Sequence, residues 1–210
     1  MNRKKTIILL MVIMVFLSLA CWFPPYIQEM SEAPSGDQGS EQIIEETLVF
    51  SSKGVSIRLP NSYQLGDIEA GMQALSGLGE YQQLYDKERE NIMLWAYESS
   101  PSRGQTHLFV IQNNDYAALP LGVISTFANV LLGDAVDSMI QEPLTLGGRS
   151  TIRYLTKAQN EGIETGQAVY LLKDSGKLWV IGFLADSATL NDQLSIFNQA
   201  VASFSVLSGE

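Results

Sequence analysis

The chain has 210 residues, 13 Lys plus Arg against 23 Asp plus Glu, and a formal net charge of −10. An acidic surface of this kind is repelled by nucleic-acid phosphates and by anionic headgroups, which excludes nucleic-acid binding and membrane adhesion through a basic patch. One cysteine in the whole chain excludes an intramolecular disulfide, so stability has to come from a packed core.

Arg3, Lys4 and Lys5 open the chain, and an apolar run broken only by Ser18 extends from Ile7 to Ala20. A basic start, an apolar stretch and a small residue before a cut describe a secretory signal over residues 1–20. The stretch Leu17-Ser18-Leu19-Ala20-Cys21 resembles the lipobox of bacterial lipoproteins. The resemblance implies cleavage before Cys21 and a diacylglyceryl thioether on its sulfur. A run of this length also reaches the lower limit for a membrane-spanning helix, so an uncleaved N-terminal anchor stays open as the alternative. Either form tethers the rest of the chain to the cell membrane on its extracytoplasmic side. Residues 21–46, rich in Pro, Gly, Ser, Gln and Glu, read as a flexible acidic linker.

One domain is expected over residues 47–208. "TLVFSSKGVSIRLP" predicts a hairpin turning at Ser51–Gly54, with Val55, Ile57 and Leu59 on one face and Pro60 ending the strand. Asp67 to Glu90 reads as helix with a glycine break near Gly77 and Gly79. "NIMLWAYES" and "QTHLFVIQNN" predict a second pair of strands joined by "SPSRG". The spacing of Ile124, Phe127, Ala128, Leu131, Ala135 and Met139 predicts a helix over Leu121–Met139. Three strands follow, "STIRYLTKA", "GQAVYLLKD" and "KLWVIGFLAD", the last two joined by a tight turn at Asp174-Ser175-Gly176. Leu190, Leu194, Phe197, Val201 and Phe204 alternate at steps of four and three and predict a closing helix on the sheet. The expected class is α+β, an antiparallel sheet flanked by helices. "KLWVIGFLA" is apolar on both faces and is expected to be a central strand covered on each side.

"GVSIRLPNSYQL", "GQAVYLLKDSGKLWVIGFLAD" and "FNQAVASFSV" resemble the opening strand, the paired late strands and the closing helix of PsbP-like lipoprotein domains. The resemblance implies an α/β/α sandwich. It also implies a largely non-catalytic accessory or binding role. It supplies no catalytic residues.

The residues themselves point the same way. His107 is the only histidine and shares a strand face with Phe109 and Ile111, which predicts a partly buried sheet histidine. No Gly-x-Ser-x-Gly elbow accompanies it, and one His with one Cys cannot build a typical zinc site. "SGLGE" lacks the features of a phosphate loop, and no acidic segment matches a calcium loop. No metal or cofactor is therefore expected. The candidate ligand or partner surface is aromatic and apolar: Trp95, Tyr97, Tyr116, Leu119, Pro120 and Trp179, with "DYAALPLG" as its rim. The leading expectation is a non-catalytic, membrane-anchored accessory protein that binds another envelope protein. A small-molecule or lipid carrier with an apolar pocket is the alternative, and a hydrolase using His107 comes last.

Overall fold

The computed structural model describes residues 46–68, 89–100, 104–132, 138–160 and 163–207. The leader with Cys21, the acidic stretch and most of the Asp67–Glu90 helix expectation lie outside the described residues. No helix among those described is long and apolar enough to cross a membrane.

Among the described residues, ten strands and two α-helices follow in chain order: β1 (Thr47–Ser52), β2 (Val55–Pro60), β3 (Tyr63–Leu65), β4 (Ile92–Ser100), β5 (Gly104–Asn113), α1 (Leu121–Leu132), β6 (Ser138–Leu146), β7 (Arg149–Asn160), β8 (Ile163–Asp174), β9 (Lys177–Asp186), α2 (Leu190–Ser203) and β10 (Ser205–Val206). A seven-stranded sheet has the order β3-β4-β5-β9-β8-β7-β6, and a smaller one the order β1-β2-β10. Every pairing among them is antiparallel. The result is the expected α+β class, dominated by sheet.

β9 is the middle strand of the large sheet, as its two apolar faces require. Trp179, Ile181, Phe183 and Ala185 point to one side, where α2 and the small sheet cover them. Leu178, Val180 and Leu184 point to the other, where α1 contributes Ile124 and Ala128. The α2 stripe docks through rings: Phe197 stacks on Phe183 at 4.0 Å, and Phe204 lies 5.1 Å from Trp179. On the opposite side the Tyr154 hydroxyl donates to the Ser125 carbonyl at 3.1 Å and ties α1 to β7.

The helix expected to reach Met139 is described as far as Leu132, and Met139 itself belongs to β6. That strand pairs with β7 along its whole length, from Ser138 opposite Lys157 to Leu146 opposite Arg149. A helical spacing of apolar residues thus ran on into a segment that the sheet claims, because cross-strand pairing outweighs local period.

Among the described residues, three hairpins turn through residue pairs with positive φ: Lys53–Gly54, Gly147–Gly148 and Ser175–Gly176. Both central residues left-handed is the type I′ turn, which matches the twist of the flanking strands. Gly147 carries a second constraint. A Cβ there would run into the carbonyl of Ala202 at the end of α2, whereas one at Gly148 would meet nothing within 4 Å. Arg149 seals the same junction. It donates to Asp174 at 2.8 Å and to the carbonyls of Val201 and Ala202, so its charge sits at the negative end of the helix.

The turns also fix which backbone groups face outward. Residues flanking a two-residue turn form a hydrogen-bonded pair, so Leu146, Leu144, Glu142 and Ile140 bond inward to β7. Met139, Gln141, Pro143 and Thr145 then point their backbone polar groups to the open edge. Pro143 has no N–H to offer there, the placement that blocks strand addition.

Two outcomes test this reading. Gly147→Ala should lower stability by at least about 2 kcal/mol, and Gly148→Ala by only about 1, the left-handed backbone cost alone; urea melts of both variants decide it. Pro143→Thr should leave the melting temperature nearly unchanged and add a concentration-dependent larger species in sedimentation velocity. An unchanged profile would mean that Pro143 guards nothing.

Candidate functional site

The candidate residues separate across the sheet. Trp95 and Tyr97 on β4 and His107 and Phe109 on β5 alternate onto the α1 side, with Trp95 directly opposite Phe109 and Tyr97 opposite His107. Their rings form a ladder. Trp95 and Phe109 stack at 6.0 Å with planes 3° apart, and His107 lies 6.2 to 6.4 Å from Trp95, Tyr97 and Phe109. Trp95 and Tyr97 are half-buried, while His107 and Phe109 are buried. Trp179 is elsewhere. At 1% exposure it packs under Phe204 on the α2 side and donates its indole N–H to the Asp174 carbonyl at 3.1 Å. It belongs to the core, opposite the face that carries Trp95.

The "DYAALPLG" rim is a tied loop. Asn113 accepts from the Tyr116 amide at 3.1 Å, Tyr116 accepts from the Leu119 amide at 3.1 Å, and Lys173 donates to the Ala117 carbonyl at 2.6 Å. Tyr116 is buried and Leu119 packs against the same cluster as Trp95. Burial, and then the neighbouring Asp115 charge, raise the Tyr116 phenol above its usual range. Pro120 is exposed, and its carbonyl accepts from the Val123 and Ile124 amides at the start of α1. Tyr116 and Leu119 therefore share a face with Trp95 and Tyr97, while Pro120 holds the helix entry.

Two contributors escape inspection of the sequence. Gly66 makes room for Trp95: a Cβ there would lie 2.5 Å from the indole. Gln64 accepts from the Tyr97 hydroxyl at 3.3 Å across the β3–β4 pair. "QLGD" offers only one available signal, a glycine just after a short strand, and a glycine there equally marks a turn.

His107 is the group with chemical potential, and it lies buried beside the rings of Trp95, Tyr97 and Phe109. The Trp95 indole N–H donates to its Nδ1 at 3.3 Å, which places the ring proton on Nε2 in the neutral form. A hydrolytic base uses the opposite tautomer, with Nδ1 donating and Nε2 accepting. Burial also pushes the pKa down to about 4, so the ring stays neutral and weakly basic at physiological pH. Among the described residues, no group of three or more His, Cys, Asp or Glu could hold a metal ion.

A depressed histidine pKa has a definite consequence for stability. The unfolded chain binds the proton near pH 6.5 and the folded chain near 4, so stability is complete above about 6.5 and falls as pH drops through that window. The full effect is on the order of 3 kcal/mol. Urea melts at pH 7 and pH 5 should show the loss, and His107→Gln should flatten it. An equal loss in His107→Gln would assign the effect to carboxylates.

No family model matches the chain. No curated protein matches it either. Among solved structures, cyanobacterial PsbP (CyanoP) from Synechocystis sp. PCC 6803 aligns over 83% of this chain and 99% of its own, at 13% identity and a TM-score of 0.47. LpqN, involved in cell envelope biogenesis of Mycobacterium tuberculosis, aligns over 78% of this chain and 91% of its own, at 10% identity and a TM-score of 0.45. A protein of unknown function from Pseudomonas aeruginosa aligns over 78% of this chain and 99% of its own, at 8% identity and a TM-score of 0.45.

Proposed function

We propose that the chain is a membrane-tethered protein of the cell envelope, held through Cys21 with its domain on the extracytoplasmic side. In this reading a PsbP-like domain serves a non-catalytic accessory role by binding another envelope protein. The observation that carries it is the leader: three basic residues, an apolar run and the chain's only cysteine immediately after Ala20. Two acyl chains on that cysteine would give a durable tether without a basic patch, which suits a chain this acidic. An uncleaved N-terminal helix would give the same topology.

The non-catalytic part of the proposal draws on His107. Its Nδ1 is committed to Trp95 and its ring is desolvated, so it is a poor proton relay. The PsbP-like part draws on the segments that resemble that family. They form β2 and β3, the β8–β9 hairpin, and α2 with β10, and all contribute to one core around Trp179 and Phe197. A carrier role draws on half-buried Trp95 and Tyr97 beside Phe109, and native mass spectrometry of the purified chain would reveal a retained ligand.

Metabolic labelling with a fatty acid tests the tether. The parent chain should incorporate label and Cys21→Ala should not; an unlabelled parent would replace lipidation with the uncleaved helix. Crosslinking in intact membranes followed by capture of the full chain should return one recurrent envelope protein. Recovery of background proteins alone would remove the accessory role.

A further inference from the structure

The open sheet edges are treated unequally. In the large sheet β3 is three residues long, and β6 carries Pro143 where an outward N–H would stand. In the small sheet β10 has two residues. β1 is different. Its six residues, Thr-Leu-Val-Phe-Ser-Ser, include no proline and no charge, and its ladder to β2 runs without a bulge. Among the described residues β2 is its only strand neighbour. Leu48 is 52% and Val49 61% exposed, large apolar side chains on an edge where charge is the usual defence.

The Lys53–Gly54 turn fixes which groups this edge presents. Ser52 and Val55 flank the turn as a hydrogen-bonded pair, followed by Phe50 with Ile57 and Leu48 with Leu59. The Asn61 amide donates to the Glu46 carbonyl at 2.9 Å, which continues the same alternation. Thr47, Val49 and Ser51 therefore aim their backbone N–H and C=O groups away from β2. These outward positions are symmetric about Val49.

We infer that β1 pairs with β1 of a second copy, antiparallel, about a two-fold axis at Val49. The register sets Val49 opposite Val49 of the partner copy and Thr47 opposite Ser51, so each outward residue finds an outward residue across the seam. Leu48 then lies beside Phe50 of the other copy, and the exposed apolar pair leaves water. Charge favours the same orientation. The strand enters from Glu46 and leaves at Lys53, whose Nζ also donates to the Ile92 carbonyl at 3.0 Å, so antiparallel pairing places the acidic end of one copy beside the lysine of the other. Parallel pairing would set like charges together. The two small sheets become one continuous sheet across an isologous interface.

The test uses the full chain in membranes, with the parent's single Cys21 as background. Val49→Cys should give a homodimer with a short bis-maleimide, which spans the roughly 5.5 Å between hydrogen-bonded antiparallel partners that a disulfide bridges only with strain. Arg58→Cys, one strand further from the seam, should give none. In the same membranes, adding Val49→Lys to mixed Thr47→Cys and Ser51→Cys chains should abolish their crosslink, while purified Val49→Lys keeps the parent's melting temperature. An absent Val49 crosslink, a crosslink only to a different protein, or a Thr47–Ser51 crosslink that survives Val49→Lys would each overturn the pairing. Should either Val49 variant fail to fold, mixed Thr47→Cys and Ser51→Cys chains probe the same register. A mixed crosslink with the same reagent supports it, and its absence overturns it.

Discussion

The structure depends on burying both faces of one strand. β9 is apolar on alternate and intervening positions alike, so no single layer can shield it. Covering one face takes α2 and the small sheet, which bring Phe197, Phe204, Ile57 and Leu59; covering the other brings α1 with Ile124 and Ala128. Fully burying side chains of this size stabilises by roughly 1.5–3 kcal/mol each, far more than any single ion pair here contributes. The antiparallel arrangement follows from the connections. Tight hairpins join β8 to β9 and β6 to β7, leaving no room for a parallel crossover.

Polar groups in this frame are positioned by the same layers. Arg153 on β7 reaches Glu142 on β6 at 2.9 Å and the Asn198 side chain on α2 at 3.1 Å, and the Tyr170 hydroxyl donates to the same Asn198 oxygen at 2.8 Å. Further along the helix, Thr106 on β5 donates to Gln193, which donates to Thr189. Apart from Arg153–Glu142, which joins two strands, each bond runs from sheet to helix or along the helix entry, so the register of α2 is specified by hydrogen bonds as well as by rings. Removing one partner would leave its neighbour desolvated, and that penalty exceeds the net gain of forming the bond.

Much of this was legible in the residues. The doubly apolar β9, the Asp174-Ser175-Gly176 turn and the stripe ending at Phe204 each carry a local signal that burial reinforces, and the structure follows them. β6 was missed because Met139 continues the helical spacing of apolar residues that begins at Ile124. Only pairing with β7 makes it a strand, and pairing is a property of two segments together. The candidate site divided for a similar reason. Alternation assigns Trp95 and Tyr97 to one face and Trp179, Ile181 and Phe183 to one face, but a single strand cannot say that these faces are opposite. Which face each strand presents is set by registers across β4, β5 and β9. The indole-to-imidazole bond that engages His107 Nδ1 is another cross-strand fact, visible only once Trp95 and Phe109 stand opposite each other.

A tether changes what an open strand edge has to achieve. In free solution, pairing one short edge must overcome the whole translational and rotational cost of bringing two chains together, and six residues of strand recover little of it. Anchored copies share a surface, and confinement raises the effective concentration at which they meet without any new contact. A modest, symmetric edge is then sufficient, provided that every other edge is closed. An additional open edge would turn a closed pair into an open-ended assembly. Pro143 on β6 and the shortness of β3 and β10 supply that closure, leaving β1, the first described element after the proposed anchor, as the edge free to pair. Under this reading the unequal treatment of the edges is one device, in which a single edge is left available and the others are withheld.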